Sequence, residues 1–400
     1  MRVSTAQIFQ NGINNILSQQ TNVNRTQAEV STGQRVLTPS DDPVAAAQIV
    51  RINSELTQID QYQDNADLAQ TQLELQENVL DTSEEVLQRV RELVIQANNA
   101  TQTSETREFI AAEIEERLGE LIDVANTQDF NGDYIFAGYQ TNTEPFGFDA
   151  GTLVYSGDDG QRFAQISSSS RVAVSDPGSA LFLRIPQGNG SFTFSANPAN
   201  TGNASIGQTS ASIDYVRDDY LIEFSQATPA DPISYTVTDS AANVIETGTY
   251  ENGDSLSFAG AVVEFQGTPQ DGDTFAVNAS TPQDVFSSLS TIVDSLTNAD
   301  DNATANAVLS TDLSLALENI DRALENFSEA RSNVGVRLNR LDSQREINTS
   351  FAIQLEATLS NIEDVDLSEA IGELNQQLTS LQVAQQAFVS VQGLSLFNFL

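Results

Sequence analysis

Carboxylates are almost the only side chains here that could do chemistry. The chain has 400 residues, with 56 Asp or Glu against 17 cations, and every cation is an Arg; His, Cys, Trp and Lys do not occur. Without His there is no common proton shuttle near neutral pH and no Ser-His-Asp triad. Without Cys and His, zinc and other N- or S-ligated metals have no ligands. Without Lys neither a P-loop nor a Schiff base can be built. No disulfide can form, so cysteine usage says nothing about the redox compartment. A glycosidase needs only two carboxylates, which makes it the one enzyme class the composition permits. Asp158, Asp159, Asp271 and Asp273 all lie in Gly-containing turns and read as turn residues. Asp41 and Asp42 are followed by no further acid at EF-hand spacing, so they read as helix caps beside Pro43. Nothing marks a pocket around any of these groups. The expectation is no catalysis, no metal and no cofactor.

The formal charge of −39 argues against nucleic acid and against anionic lipid, because both need a basic surface. No run approaches the ~18 apolar residues that cross a membrane. The first twenty residues hold no apolar stretch of signal-peptide type, so an exported chain would leave by another route. Salty or extracellular surroundings suit such a charge; an organism-wide acidic composition explains it equally.

Glycine and proline mark the elements that position these residues. Eight of the 10 Pro lie between Pro145 and Pro282, and 14 of the 22 Gly between Gly147 and Gly272. Both ends are instead rich in Gln, Leu, Glu and Ala. In the first segment Phe9, Ile16, Val23 and Val30 recur every seven positions, with Ile13 between. This is the narrow seam of a helix that pairs with other helices, and Gly33 is placed to cap it. Thr38-Pro39-Ser40-Asp41-Asp42-Pro43 then offers N-caps and a first-turn proline. The helix that follows carries Ile52, Ile59, Ala66, Leu73, Leu80, Leu87 and Val94 in one row. A third, with Phe109, Ile110, Ile114, Leu118, Leu121 and Ile122, runs to about Val124.

Towards the other end, Thr281-Pro282 reads as the cap of a short helix carrying Val285, Leu289, Ile292 and Leu296. A helix from about Ala303 to Asn361, roughly 90 Å long, carries Leu313, Ile320, Phe327, Val334 and Leu341. Arg331 and Arg345 flank that row and are expected to pair with acids of a neighbouring helix, setting register. Asp366 and Glu369 open the last helix as a capping box; its seam is Leu367, Leu374, Leu381 and Phe388, with Ile371 and Leu378 between. Between the helical ends, Gly151–Tyr155, Ser191–Phe194, Ile233–Val237 and Ala261–Phe265 read as strands, and Asn131–Gly138 reads as a short hairpin.

The fold class is therefore α+β: a long antiparallel helical coiled-coil bundle from both termini with an inserted all-β domain. Its expected parts are an N-terminal assembly helix (1–36), a helical rod (37–142 with 283–365), a β-rich domain (143–282) and a C-terminal assembly helix (366–400). A lone helix cannot bury its own seam, and most helical stability comes from packing that face. The outermost pieces have the fewest partners in one copy, so they are expected to be loose in the monomer and to order in a polymer. The residues expected to make the assembly contacts are Phe9, Ile13, Ile16, Val23, Val30, Leu374, Leu378, Leu381, Phe388, Leu394, Leu396, Phe397, Phe399 and Leu400. An ordinary intramolecular bundle, or a coiled-coil adhesin or stalk, fits the periodicity as well.

The stretch Thr32-Gly-Gln-Arg-Val-Leu-Thr-Pro-Ser-Asp-Asp-Pro-Val-Ala-Ala-Ala-Gln-Ile-Val50 resembles the turn between the first two helices of the flagellin superfamily. Gly33, Arg35, Asp41 and Asp42 carry the likeness, within a helix-turn motif that also holds Ser40 and Pro43. Pro39 and Pro43 depart from filament flagellin and are similar to its hook-associated protein 3 branch, the hook–filament junction family. Tyr134–Thr141, Tyr155–Gln161, Asn361–Ala370 and Val391–Leu400 are similar to that branch too. Residues 165–265 are not recognisable and look longer than the family needs. The resemblance implies a structural protein joining the hook, through hook-associated protein 1, to the flagellin filament. It also implies type III export without a cleaved signal, a ring-like layer of copies, an inner tube of terminal helices with the β domain outside, and a cytoplasmic export chaperone on the C-terminal helix. Flagellin itself, or a carbohydrate-acting surface protein, are the alternative readings.

Overall fold

Several helices begin where a short polar side chain closes them. Asp42 Oδ1 accepts from the N–H of Val44 and Ala45 at 3.1 and 3.0 Å. Asp284 accepts from Ser287 at 2.6 Å, Asn302 from Ala305 at 2.9 Å, and Asp366 from Ser368 and Glu369 at 2.8 and 3.2 Å. Such caps satisfy the amides that a first turn leaves unpaired. The computed structural model describes the backbone of residues 5–149 and 152–397, and side chains from 7 to 390 apart from 149–152. The helices are α1 (Thr5–Thr32), α2 (Pro43–Ala97), α3 (Ser104–Ala125), α4 (Val285–Asn298), α5 (Ala303–Glu363) and α6 (Leu367–Phe397). The expected cap at Thr281-Pro282 is corrected: Asp284 closes α4, because its carboxylate reaches the first-turn amide, and Pro282 lies in a strand.

The chain forms two compact units, Met1–Asp64 with Ser343–Leu400, and Asn65–Asp342. Helices α2 and α5 contribute to both, and in each they run antiparallel. In the first unit Gln63 donates to Thr349 at 3.0 Å. In the second Arg91 Nε donates to Asp321 at 2.7 Å, and Arg331 lies 2.6–2.8 Å from Glu77, Asp81 and Glu84 together. Arg331 thus meets three acids of the facing helix, which holds one register. The seven-residue rows Ile52–Val94 and Leu313–Leu341 are buried throughout.

The second unit holds two cores. One lies among α2–α5 and two small hairpins, β1 (Phe146–Asp149) with β2 (Thr152–Tyr155) and β3 (Phe163–Gln165) with β4 (Arg171–Ala173). Phe182, on a π-helical turn at Ser179–Leu183, sits at its centre, with ring centroids 5.2–5.6 Å from Phe136, Phe146, Phe286 and Phe327. Asp176 clamps the preceding loop: Arg337 grips both its oxygens at 2.7 and 2.8 Å, and Gln76 and Gln161 donate at 2.7 and 2.8 Å. Burial alone would push this carboxyl up; the guanidinium and the amides hold it below the usual carboxylate range.

The other core belongs to a β-sandwich. Strands β5 (Ile185–Pro186) and β14 (Pro282–Gln283) pair at its entrance. Strands β6 (Phe192–Ala196), β8 (Tyr220–Ser225), β9 (Ile233–Thr238), β10 (Val244–Tyr250) and β13 (Thr274–Ala279) form a five-stranded sheet of order β10-β9-β8-β13-β6. Strands β7 (Ser205–Ala211), β11 (Ser255–Phe258) and β12 (Ala261–Gln266) form the second sheet. Alternation along β6, β8, β12 and β13 turns Phe192, Phe194, Phe224, Phe265 and Phe275 inward. Residues Asn131–Gly138 do not form the expected hairpin. A single bridge joins Gln128 and Tyr134, because Asp129 Oδ1 draws in the amides of Asn131 and Asp133 at 2.8 and 3.1 Å and curls the chain into a turn.

Candidate assembly interface

Within the first unit α1 and α6 lie side by side. The seam positions of α1 are 9, 12, 16, 19, 23, 26 and 30, with 28 and 29 also partly covered beside its last turn; those of α6 are 370, 374, 377, 381, 384 and 388. Both series alternate steps of three and four, the spacing of a coiled-coil seam. The pair is antiparallel. Phe9, near the start of α1, meets Phe388, near the end of α6, edge to face at 5.7 Å between ring centroids. Gly12 leaves the slot: a Cβ there would stand 2.8 Å from the Phe388 ring.

The two chain reversals are stitched together at the other end of this pair. Gly33 takes a positive φ of 77° and caps α1, its N–H donating to Glu29 O at 2.9 Å. Arg35 N–H then donates to Glu363 O at 2.7 Å and Val365 N–H to Gly33 O at 2.9 Å, a single antiparallel bridge around Gln34 and Asp364. Gln34 adds a side-chain bond to Glu363, and Arg35 Nη2 donates to Ile362 O at 2.8 Å. Arg35 Nη1 also stands 3.7 Å from Asp42. Asp41 accepts from the N–H and hydroxyl of Thr38 at 2.8 and 3.0 Å, which holds its carboxyl below the usual carboxylate range. Ser40 shares a hydrogen bond with Thr38 at 2.7 Å, and Pro43 takes the first position of α2. The helix-turn motif Gly33, Arg35, Ser40, Asp41, Asp42 and Pro43 is thus engaged inside the chain. Asp42→Ala is expected to lower stability by about 1 kcal/mol through loss of the α2 cap; a thermal unfolding midpoint equal to that of the parent chain would contradict this.

Of the residues expected to make assembly contacts, Phe9, Ile16, Val23, Val30, Leu374, Leu381 and Phe388 lie on the α1–α6 seam, whereas Ile13 and Leu378 stay exposed. The segments 1–36 and 366–400 are expected to lack partners in one copy; among their described residues, α1 and α6 lie against each other, since their two seams match when antiparallel. The side chains of Leu394, Leu396 and Phe397, and residues Phe399 and Leu400 altogether, lie outside the described residues. A second apolar stripe remains uncovered, made of Ile13 and Leu17 on α1 and Leu367, Ile371, Leu378 and Val389 on α6, with Ile8 and Val383 exposed elsewhere on the same helices. Ile8, Leu17, Val383, Val389 and the Gly12 slot were not picked out from the sequence. Gly12 and Gln19 occupy seam positions, which hid the three–four alternation that would have separated the two stripes.

Charge sets these helices apart. Between Thr5 and Thr32 the charged residues are Arg25 and Glu29, paired with each other at 2.9 Å; between Leu367 and Phe397 they are Glu369 and Glu373. Most of the charge of −39 is therefore carried elsewhere. Faces of this kind can meet without the repulsion that the rest of the chain would impose.

Residues 3–141 match the bacterial flagellin N-terminal helical region, and residues 317–400 the bacterial flagellin C-terminal helical region. The flagellar hook-associated protein 3 of Escherichia coli (strain K12) is 26% identical over 398 residues, spanning 100% of this chain and 99% of that one. The flagellar junction protein FlgL of Legionella pneumophila superposes with a TM-score of 0.73 at 30% identity, over 79% of this chain and 100% of that structure. FlgL of Xanthomonas campestris gives 0.71 at 30% identity, over 77% and 99%. With flagellin-type helices at both ends and these relatives along its length, the chain belongs to the flagellar hook-associated protein 3 family and is a structural component of the bacterial flagellum, not an enzyme.

Proposed function

We propose that the chain forms the layer joining hook to filament, and that the stripe left open on α1 and α6 is closed there by neighbouring subunits. The neighbours are further copies of this chain, hook-associated protein 1 on the hook side and flagellin on the filament side. The observation that carries this reading is a folded helix pair, nearly free of charge, with eight large apolar side chains still in water. Covering what remains exposed of each contributes about 1 kcal/mol. That sum holds a subunit among several neighbours but is too small to hold an isolated pair of copies against the entropy of association. The same stripe, on a C-terminal helix without charge beyond Glu373, is what a cytoplasmic export chaperone would cover before type III export. No described helix is long and apolar enough to cross a membrane.

Cells lacking the gene are expected to carry hooks without filaments and to shed flagellin into the medium, with both defects repaired by the gene in trans. Filaments still attached to such hooks would refute the junction role. Long polymers grown from the purified chain alone would mark it as a filament subunit instead.

A further inference from the structure

Several buried or half-buried carboxylates in the second unit are well supplied with donors. Asp273, for example, takes backbone N–H groups of Thr201, Gly202 and Gln270 at 2.7–3.0 Å. On α5, Glu318 and Asp312 are not. Glu318 Oε1 accepts the Thr209 hydroxyl of β7 at 2.6 Å, while Oε2 is sealed from solvent with no hydrogen-bond partner. The Thr209 oxygen accepts in turn from Asn189 Nδ2 at 2.9 Å. Asp312 has one donor, the Ser295 hydroxyl of α4, at 3.2 Å.

The surroundings give little cationic help. Around Glu318, β7 offers no charge, β12 offers Glu264, α5 itself offers Asp321 and Arg322, and α2 offers Arg91, already spent on Asp321. Arg322 is paired with Glu325 at 2.6 Å. Around Asp312 the other charged groups are Asp294 and Asp300, both acidic. Glu318 therefore sits where the sandwich docks on α5, beside the bond from Ile206 N–H to Thr311 Oγ1 at 3.0 Å and that from Gly188 N–H to Asn319 Oδ1 at 2.7 Å.

We infer that Glu318 is a proton-operated clasp between the sandwich and α5. As a neutral acid it rests against Thr209 and keeps β7 docked; ionised, it is an enclosed charge without a cation and loosens that contact. Burial pushes its carboxyl up from 4.5 to about 7. The folded chain thus retains a proton that the undocked chain releases. The contact is tightest below 4.5, weakens as pH rises through the interval to about 7, and is weakest above it. Burial raises Asp312 as well, so it acts in the same sense between α4 and α5.

The test is hydrogen exchange of the β7 amides in the full chain at about pH 5 and about pH 8.5, corrected for intrinsic rates. Protection in the parent chain is expected to fall about tenfold or more on the alkaline side. In Glu318→Gln, whose amide mimics the protonated acid, it should stay level. An equal fall in both chains overturns the clasp. A carboxyl NMR titration of Glu-labelled protein tests it independently of stability. One resonance, missing in Glu318→Gln, should titrate near neutrality; ordinary midpoints for every Glu would overturn the inference too.

Discussion

Replacing Ile13 and Leu378 together by Asp is expected to abolish swimming and leave hooks without filaments, while the purified chain stays folded. Both side chains are largely in water, 42% and 47% exposed, and neither lies on the α1–α6 seam. Exchanges at such positions change stability by about 0.5 kcal/mol or less. At an interface closed by neighbours the same two charges would lie enclosed beside almost uncharged helices, and each unpaired charge then costs several kcal/mol. Circular dichroism and thermal melting of the monomer, read beside motility and electron microscopy of the cells, separate folding from assembly. Normal swimming with both charges in place would show that this stripe faces nothing.

Phe182→Ala is expected to cost about 3–5 kcal/mol. Its ring has no exposed surface and touches four others from the 136 loop, β1, α4 and α5. Each such pair contributes about 0.5–1.5 kcal/mol beyond burial, and the elements around it converge too tightly to close the hole. The sandwich has its own core, which does not include Phe182. Urea unfolding should therefore show an early loss of the helical signal while exchange protection in β8 and β13 persists. A loss below about 1 kcal/mol would mean that the cluster can collapse onto the cavity.

The seven-residue rows of α2 and α5 were legible in the sequence because a helix repeats its faces at short range. Every residue of Ile52–Val94 and Leu313–Leu341 so identified is buried. Arg331 was legible for a related reason: a cation beside a seam in an acidic chain has few places to go, and it meets three acids of the facing helix. Cap chemistry was read well where it is local, as at Asp42 and Asp366, and misread at Thr281-Pro282. There the strand pairing of Pro282 and Gln283 with Ile185 and Pro186 settles the boundary from nearly a hundred residues away.

By itself, then, the sequence determined that this protein has helical ends with more apolar surface than one helix can cover, carboxylates as almost its only chemically active side chains, and a turn of flagellin type. Only the tertiary structure decided which apolar row turns inward. Phe9, Ile16 and Val23 meet α6 while Ile13 and Leu17 do not, because the choice depends on how two segments more than three hundred residues apart line up. The bridge at Gln34 and Asp364, the slot at Gly12 and the enclosure of Glu318 belong to the same class. Periodicity along a chain reports that a face needs covering; what covers it is decided by contacts that periodicity cannot encode.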